Sequence, residues 1–282
     1  MKNSQQLNDL IRNKATVLGI SPQILLRRYF MEKFLERISK SKYNENFILK
    51  GGVLVSSLVG LNIRTTQDVD LLVKDFPFTD DSIVKLLTEI SQIDNQDSIV
   101  FTFEKTKQIM EGLDYPGIRV FFNVEMDRTR EKIHLDISTG DKITPKEIMF
   151  GYKLLLEDKN IGLYAYTIET VLAEKIETIL IRHTTNTRAR DYYDCYVLEK
   201  LFSQKIDYSV LGLAINNTVE RRNSGKALEN AHNILVGVGN DYGQKGLWEL
   251  YQKKNPTDGK IEFVQIIETI RRLLRKAGIL HG

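Results

Sequence analysis

The sequence predicts an α+β protein: an α/β front half over residues 1–166, with a mixed β-sheet flanked by helices, and an all-helical back half over residues 167–282. Three observations carry this. Segments 98–105, 117–126 and 131–138 alternate with period two and are rich in β-branched and aromatic residues, the pattern of strands with one buried face. A short apolar strand, Phe47-Ile48-Leu49, runs into Gly51-Gly52, and an acidic strand follows over residues 68–73. From the helix-start signal Thr167-Ile168-Glu169 onward the apolar spacing is helical.

The elements follow in order. Residues 5–38 read as two helices, with Ser21-Pro22 as the N-cap and first-turn signal of the second. In that helix Ile24, Leu25, Tyr29, Phe30, Phe34 and Ile38 fall on or near one face. Residues 53–58 form a short helix directly after the glycines, and 80–92 an amphipathic one. Gly112, Pro116-Gly117 and Asp127-Arg128 mark the turns between the alternating strands, and shorter strands follow at 153–157 and 161–165. The back half divides into helices at 167–183, 188–202, 207–222, 225–237, 243–253 and 260–277.

Composition narrows the function classes. Of 282 residues, 42% are hydrophobic and 27% charged, the balance of a globular chain with a real core. A net charge of +3 gives no bulk argument for nucleic-acid binding, so any basic footprint must be local. Two clusters qualify: Arg221-Arg222 with Lys226, and Arg271-Arg272 with Arg275-Lys276 on the last helix. The single cysteine, Cys195, excludes an intrachain disulfide and a multi-cysteine zinc site; within an apolar helix it reads as a small core residue. Residues 1–13 lack a signal-peptide stretch. The most apolar window, 51–61, is shorter than the roughly twenty residues a membrane span needs. The expected location is cytoplasmic, with no membrane partner.

The chemistry concentrates between Gly51 and Val73. Asp68 and Asp70 are two apart on a predicted strand, so both carboxylates share one face. Like charges side by side repel unless a cation joins them. Mg²⁺ suits the pair, being a hard ion that takes one or two carboxylates plus phosphate oxygens. Two glycines at the upstream strand-to-helix bend let backbone N–H groups approach a phosphate. Each feature alone is commonly structural, a solvated acidic edge or a turn. Together they form a phosphate cradle beside a metal site.

The run Leu49-Lys50-Gly51-Gly52 through Arg64-Thr65-x-x-Asp68-x-Asp70 resembles the AbiEii/AbiGii toxin family, nucleotidyltransferases with a DNA polymerase β-like fold. Three later motifs extend the resemblance over about residues 40–200: His134-Leu135-Asp136-Ile137, Glu169-Thr170-x-x-Ala173-Glu174-Lys175-Ile176, and Arg188-x-Arg190-Asp191-Tyr192-Tyr193-Asp194. The superfamily more often has Gly-Ser where this chain has Gly51-Gly52, which leaves phosphate contact to the backbone and to Ser56 or Ser57. The resemblance implies Asp68 and Asp70 as metal ligands and Asp136 as a third carboxylate. It implies Lys175 as a point charge for the phosphates and Asp191 as the functional aspartate, both supplied by the helical half to the active-site cleft. It places Gly51, Gly52, Arg64, Thr65 and Arg190 at the nucleotide, although Arg64 and Thr65 read equally as loop caps. Asp194 reads either as catalytic or as a structural partner of Arg190. Tyr192, Tyr193 and Tyr196 read as packing, and His183 as a helix end.

The implied function is a toxin of an AbiE-type toxin–antitoxin and phage abortive-infection system. It would transfer a nucleoside monophosphate from GTP or CTP to an RNA, the tRNA 3′ end, and so arrest growth. The implied partner is an antitoxin acting as a repressor without a stable complex. Two other readings compete: nucleotidylation of a protein or small molecule, and a non-enzymatic nucleotide-sensing or RNA-binding module.

Overall fold

The order of strands follows from which segments can bury an apolar face. In the computed structural model, which describes residues 3–64, 66, 68–109, 117–255 and 259–280, the chain forms two compact units. The first comprises Met1–Asp141 with Ile148–Ala165, the second Lys142–Glu147 with Tyr166–Gly282.

The first unit is built on a seven-stranded sheet. Its strands are β1 (Phe47–Lys50), β2 (Val69–Val73), β3 (Val100–Ile109), β4 (Gly117–Met126), β5 (Thr129–Thr139), β6 (Ile148–Lys153) and β7 (Asn160–Ala165). They lie in the order β3-β4-β5-β2-β1-β7-β6. β2 pairs parallel with β5 and β1 parallel with β7; the other pairs are antiparallel. The sheet is therefore mixed, as expected. Alternation along β2, β4 and β5 sends Val69, Leu71, Val120, Phe122, Ile133, Leu135 and Ile137 to one buried face. The long helix α2 (Pro22–Lys40) packs there, with Phe34 against Phe101 and Phe122 at ring distances of 5.2 and 5.1 Å. The remaining helices are α1 (Ser4–Leu18), α3 (Gly51–Val59) and α4 (Asp80–Ser91).

Helix α2 is not one-sided. Every residue from Arg28 to Ile38 is buried, including five charged ones. Such charges need partners, and they have them. Arg28 pairs with Glu32 at 2.9 Å, Arg37 with Asp97 at 2.8 Å, and Glu36 accepts from Lys33 and Lys159.

The second unit is helical: α5 (Ile168–Arg182), α6 (Ala189–Phe202), α7 (Tyr208–Arg221), α8 (Gly225–Glu229), α9 (Ala231–Asn240), α10 (Tyr242–Lys254) and α11 (Phe263–Lys276). Thr167 caps α5, its side chain accepting from the Thr170 N–H. The segment 142–147 docks on this helix start, where Thr144 exchanges hydrogen bonds with Thr167 and Thr170. Among the described residues no helix is long and apolar enough to cross a membrane.

Three expectations are corrected. The strand expected at 153–157 is β6, Ile148–Lys153. The run Leu154-Leu155-Leu156 instead makes a turn, because the Leu154 N–H bonds the Lys159 carbonyl and the Leu155 N–H bonds buried Glu32. The helix expected at 225–237 is broken at Asn230, which closes α8 and opens α9. Finally, α3 begins at Gly51 itself, so both glycines belong to its first turn. The turn signals Gly112 and Pro116 lie outside the described residues.

Candidate active site

The open face of the sheet is fixed by the same alternation that fills the core. Strand register sets Arg119 opposite Asp136, Asp136 opposite Asp70, and Asp70 opposite Lys50. Residues directly paired in a sheet share a face, so this row places two acids between two bases. One pleat away lies Asp68, immediately before β2, with its Oδ1 2.9 Å from His134 Nε2. Register therefore brings Asp70 of one run beside Asp136, 66 residues on, on one face of the sheet, with Asp68 just ahead of the same strand.

Each acid has a defined partner. Arg119 donates from Nε and Nη2 to the two oxygens of Asp136, both at 2.6 Å. This fork-on-carboxylate geometry is the strong form of the ion pair. The Arg119 guanidinium is held above its ordinary range, first by its hydrogen bond to Asp136 and then, against partial burial, by the charges of Asp136, Asp68 and Asp70. Asp70 Oδ2 accepts from the Gly52 N–H at 3.2 Å. Lys50 Nζ is 2.5 Å from Asp141, both buried.

The glycines are there for close approach. Gly51 has φ +62°, and a Cβ on it would lie 2.1 Å from Asp70 Oδ2. A Cβ on Gly52 would lie 2.8 Å from Thr66 Oγ1 and 2.9 Å from Arg64 Nη1. The bend thus presses against Asp70 and against buried Arg64. Thr65 lies outside the described residues. Ser56 and Ser57 accept from the Arg28 guanidinium, at 2.9 and 3.2 Å, and Ser56 also donates to the Val53 carbonyl.

These residues fit a divalent cation. Asp70 and Asp136 are neighbours on parallel strands, Asp68 is one pleat off, and all offer hard oxygen donors. Among the described residues no group of three or more His, Cys, Asp or Glu side chains is placed to hold a metal ion, so an ion here would be held by one or two carboxylates together with substrate phosphates.

In the second unit Lys175 of α5 reaches two aspartates of α6, Asp191 Oδ1 at 2.6 Å and Asp194 Oδ2 at 3.1 Å. Asp194 thus holds Lys175, a partner the sequence did not suggest. Asp191 Oδ2 is buried with no hydrogen-bond partner among the described residues. Cys195 beside them is fully buried, and burial with the nearby Asp194 charge pushes its thiol well up, so it is a core residue. Arg190 lines a cavity of about 320 Å³ together with Arg188, Tyr251 and Lys254. The two basic clusters named from sequence carry carboxylate partners: Arg222 meets Glu174 and Glu177, Arg272 meets Glu199, and Arg275 meets Glu268.

Sequence reading missed Arg119 and the pairing of His134 with Asp68. Arg119 sat at a polar position of an alternating strand, and only register shows which carboxylate it meets.

A glycine bend pressed on Asp70, in a mixed sheet whose next strand carries Asp136, fits the phosphate-handling class of nucleotidyltransferases. The family model described as "Nucleotidyl transferase AbiEii toxin, Type IV TA system" matches residues 33–276. The chain belongs to this family of toxin nucleotidyltransferases. Two solved Helicobacter pylori structures are similar over most of their length. JHP933 aligns at 17% identity and a TM-score of 0.48, over 92% of each chain. A protein provisionally named a nucleotidyltransferase aligns at 17% identity and a TM-score of 0.46, over 92% of this chain and 95% of that one. No curated protein matches.

Proposed function

We propose that this chain transfers a nucleoside monophosphate from a nucleoside triphosphate, GTP or CTP, to the 3′ hydroxyl of an RNA, with tRNA as the acceptor. The observation that supports this most is the register pairing of Asp70 with Asp136 beside the Gly51-Gly52 bend. In this reading the glycine bend on one flank of Asp70 marks the donor side and Asp136 on the other marks the acceptor side.

Asp68 and Asp70 hold Mg²⁺ in this reading. When bound, the ion neutralises phosphate charge and orients the reacting oxygens. Asp70, kept in place by the Gly52 N–H, faces the triphosphate, with Arg64 against the same bend. Asp136, aligned by Arg119, faces the acceptor. The acceptor oxygen bonds to the α-phosphorus in line, its proton passes to Asp136, and the bond to the β-phosphate oxygen breaks as pyrophosphate leaves. Lys175, oriented by Asp191 and Asp194, is the cation we assign to the phosphates, with Arg190 as a further nucleotide contact. Position and field supply most of the catalysis in such a transfer. An RNA so capped would stall translation, and the antitoxin that membership of a type IV system implies would act as a repressor without binding the toxin stably. The work is done in the cytoplasm.

Incubation with labelled nucleoside triphosphates and total tRNA tests this. Label is expected on tRNA, dependent on Mg²⁺ and abolished by Asp70→Ala together with growth arrest. Label on protein instead, or an Asp70→Ala variant that stays fully toxic, overturns it.

A further inference from the structure

The open face of β3, β4 and β5 continues outward from the acids and is not used by the chemistry above. One pleat from Arg119 and Asp136, register sets Lys105 opposite Phe121 and Phe121 opposite His134, whose own partner is Asp68. The Phe121 and His134 rings lie 5.7 Å apart, tilted by 45°. Phe121 is half-buried, and its strand neighbours Val120 and Phe122 face the buried side of the sheet. Lys105 and Lys107 are exposed on the adjoining edge strand, Lys107 opposite Arg119. At the far end of the same three strands is a depression of about 540 Å³ lined by Thr102, Asn123, Glu125, Arg130, Glu131 and Lys132.

From this we infer that Phe121, backed by His134 and flanked by Lys105 and Lys107, is the platform on which the 3′-terminal bases of a single-stranded RNA stack, with the terminal hydroxyl at the acids. The inference rests on the reading of the chain as an RNA nucleotidyltransferase. Its chemistry is that of sequence-tolerant single-strand binding: an aromatic face for a base and flexible cations for the backbone. Spacing agrees. From Asp68 to Phe121 is two strand separations, roughly 10 Å, within reach of the last two nucleotides. The flank is right as well, since the glycine bend lies on the other side of Asp70. Lys105 Nζ now sits 5.3 Å from the centre of the Phe121 ring. An incoming base takes that place, and the freed ammonium meets the phosphate, so a weak exposed cation–π contact is exchanged for a stack. A protein acceptor has no need of a stacking ring with a lysine edge.

Short single-stranded RNA with a fluorescent 5′ end and a free 3′ hydroxyl, added to the full chain without nucleoside triphosphate, reads the platform by anisotropy. Phe121→Leu keeps an apolar side chain on the sheet but loses the stacking face, and should weaken binding about tenfold. Phe121→Trp should restore it. Lys105→Ala and Lys107→Ala should each lower the slope of log affinity against log salt by about 0.7. Binding of a fluorescent nucleoside triphosphate should not change in any of these variants. Full RNA affinity in Phe121→Leu, or loss of triphosphate binding instead of RNA binding, overturns the assignment. Phe121-dependent RNA binding in a wild-type chain that labels no RNA would leave the platform standing and remove the transferase reading.

Discussion

Replacing Gly51 by alanine is the sharpest test of how the acids are held. Two separable costs arise. A left-handed backbone costs an alanine about 1–2 kcal/mol, and Gly51 sits at φ +62°. The new methyl would also lie 2.1 Å from Asp70 Oδ2, so that the carboxylate must turn away and give up the Gly52 N–H at 3.2 Å. A charge-assisted hydrogen bond of this kind contributes about 1–3 kcal/mol. The total loss of stability is therefore about 2–5 kcal/mol, read by urea denaturation. Nucleotide transfer should fall by about a hundredfold or more, because a 1 Å displacement of a positioned group is enough for that. A double-mutant cycle separates the terms. In an Asp70→Ala background the carboxylate contacts are gone and only the Cβ contact at 2.8 Å remains, so Gly51→Ala should cost less than in the wild type by about the 1–3 kcal/mol of the lost hydrogen bond. Gly52→Ala should be milder, since its φ is not left-handed and its Cβ would meet the ends of the Thr66 and Arg64 side chains, which can shift. Equal costs for Gly51→Ala in both backgrounds, or unchanged transfer by the single variant, would refute the view that the bend exists to let Asp70 in.

Two further outcomes follow from buried charge. Lys175→Met leaves Asp191 and Asp194 facing each other without their cation, at 2% and 0% exposure, and should cost about 3–5 kcal/mol in urea denaturation. Adding Asp191→Asn and Asp194→Asn to that variant should recover most of the stability while transfer stays absent. Glu36 gives a pH signature. Burial alone would raise its carboxyl, but hydrogen bonds from Lys159, Lys33 and Asn95 outweigh it and hold the group at about 2 against an ordinary 4.5. A lowered folded-state value stabilises the fold above the unfolded value, so this contribution is complete above about pH 4.5 and is lost as pH falls toward 2. It amounts to about 2–3 kcal/mol. In Glu36→Gln, the fall in urea midpoint between pH 4.5 and pH 2 should flatten; an unchanged slope would contradict the assigned cause.

Much of this was legible in the chain. Alternation along 117–126 and 131–138 says which residues face the core, and with them that Asp136 faces the other way. The i, i+2 spacing of Asp68 and Asp70 says that both acids share a face. The motif order from Gly51 to Asp194 carries the resemblance to the toxin family, and the i, i+3 spacing of Asp191 and Asp194 says that both lie on one helix face. Local periodicity is enough for these, because it depends only on near neighbours along the backbone. The same periodicity failed at Leu154-Leu155-Leu156, where an apolar run is a turn held by Glu32 from a distant helix.

What the sequence determined alone is the kind of each side chain and the face it occupies. It could not say that Asp70 stands beside Asp136, that Arg119 clasps the latter, or that Phe121 continues the row from Asp68 through His134. Asp70 meets Asp136 through a parallel pairing between strands more than sixty residues apart, while Arg119 and Phe121 meet theirs through the antiparallel pairing of β4 with β5, and a one-residue slip in either would have turned these side chains to the opposite face. Register across a sheet is a long-range property, decided by the fit of the whole apolar face against α2, and only the tertiary structure carries it.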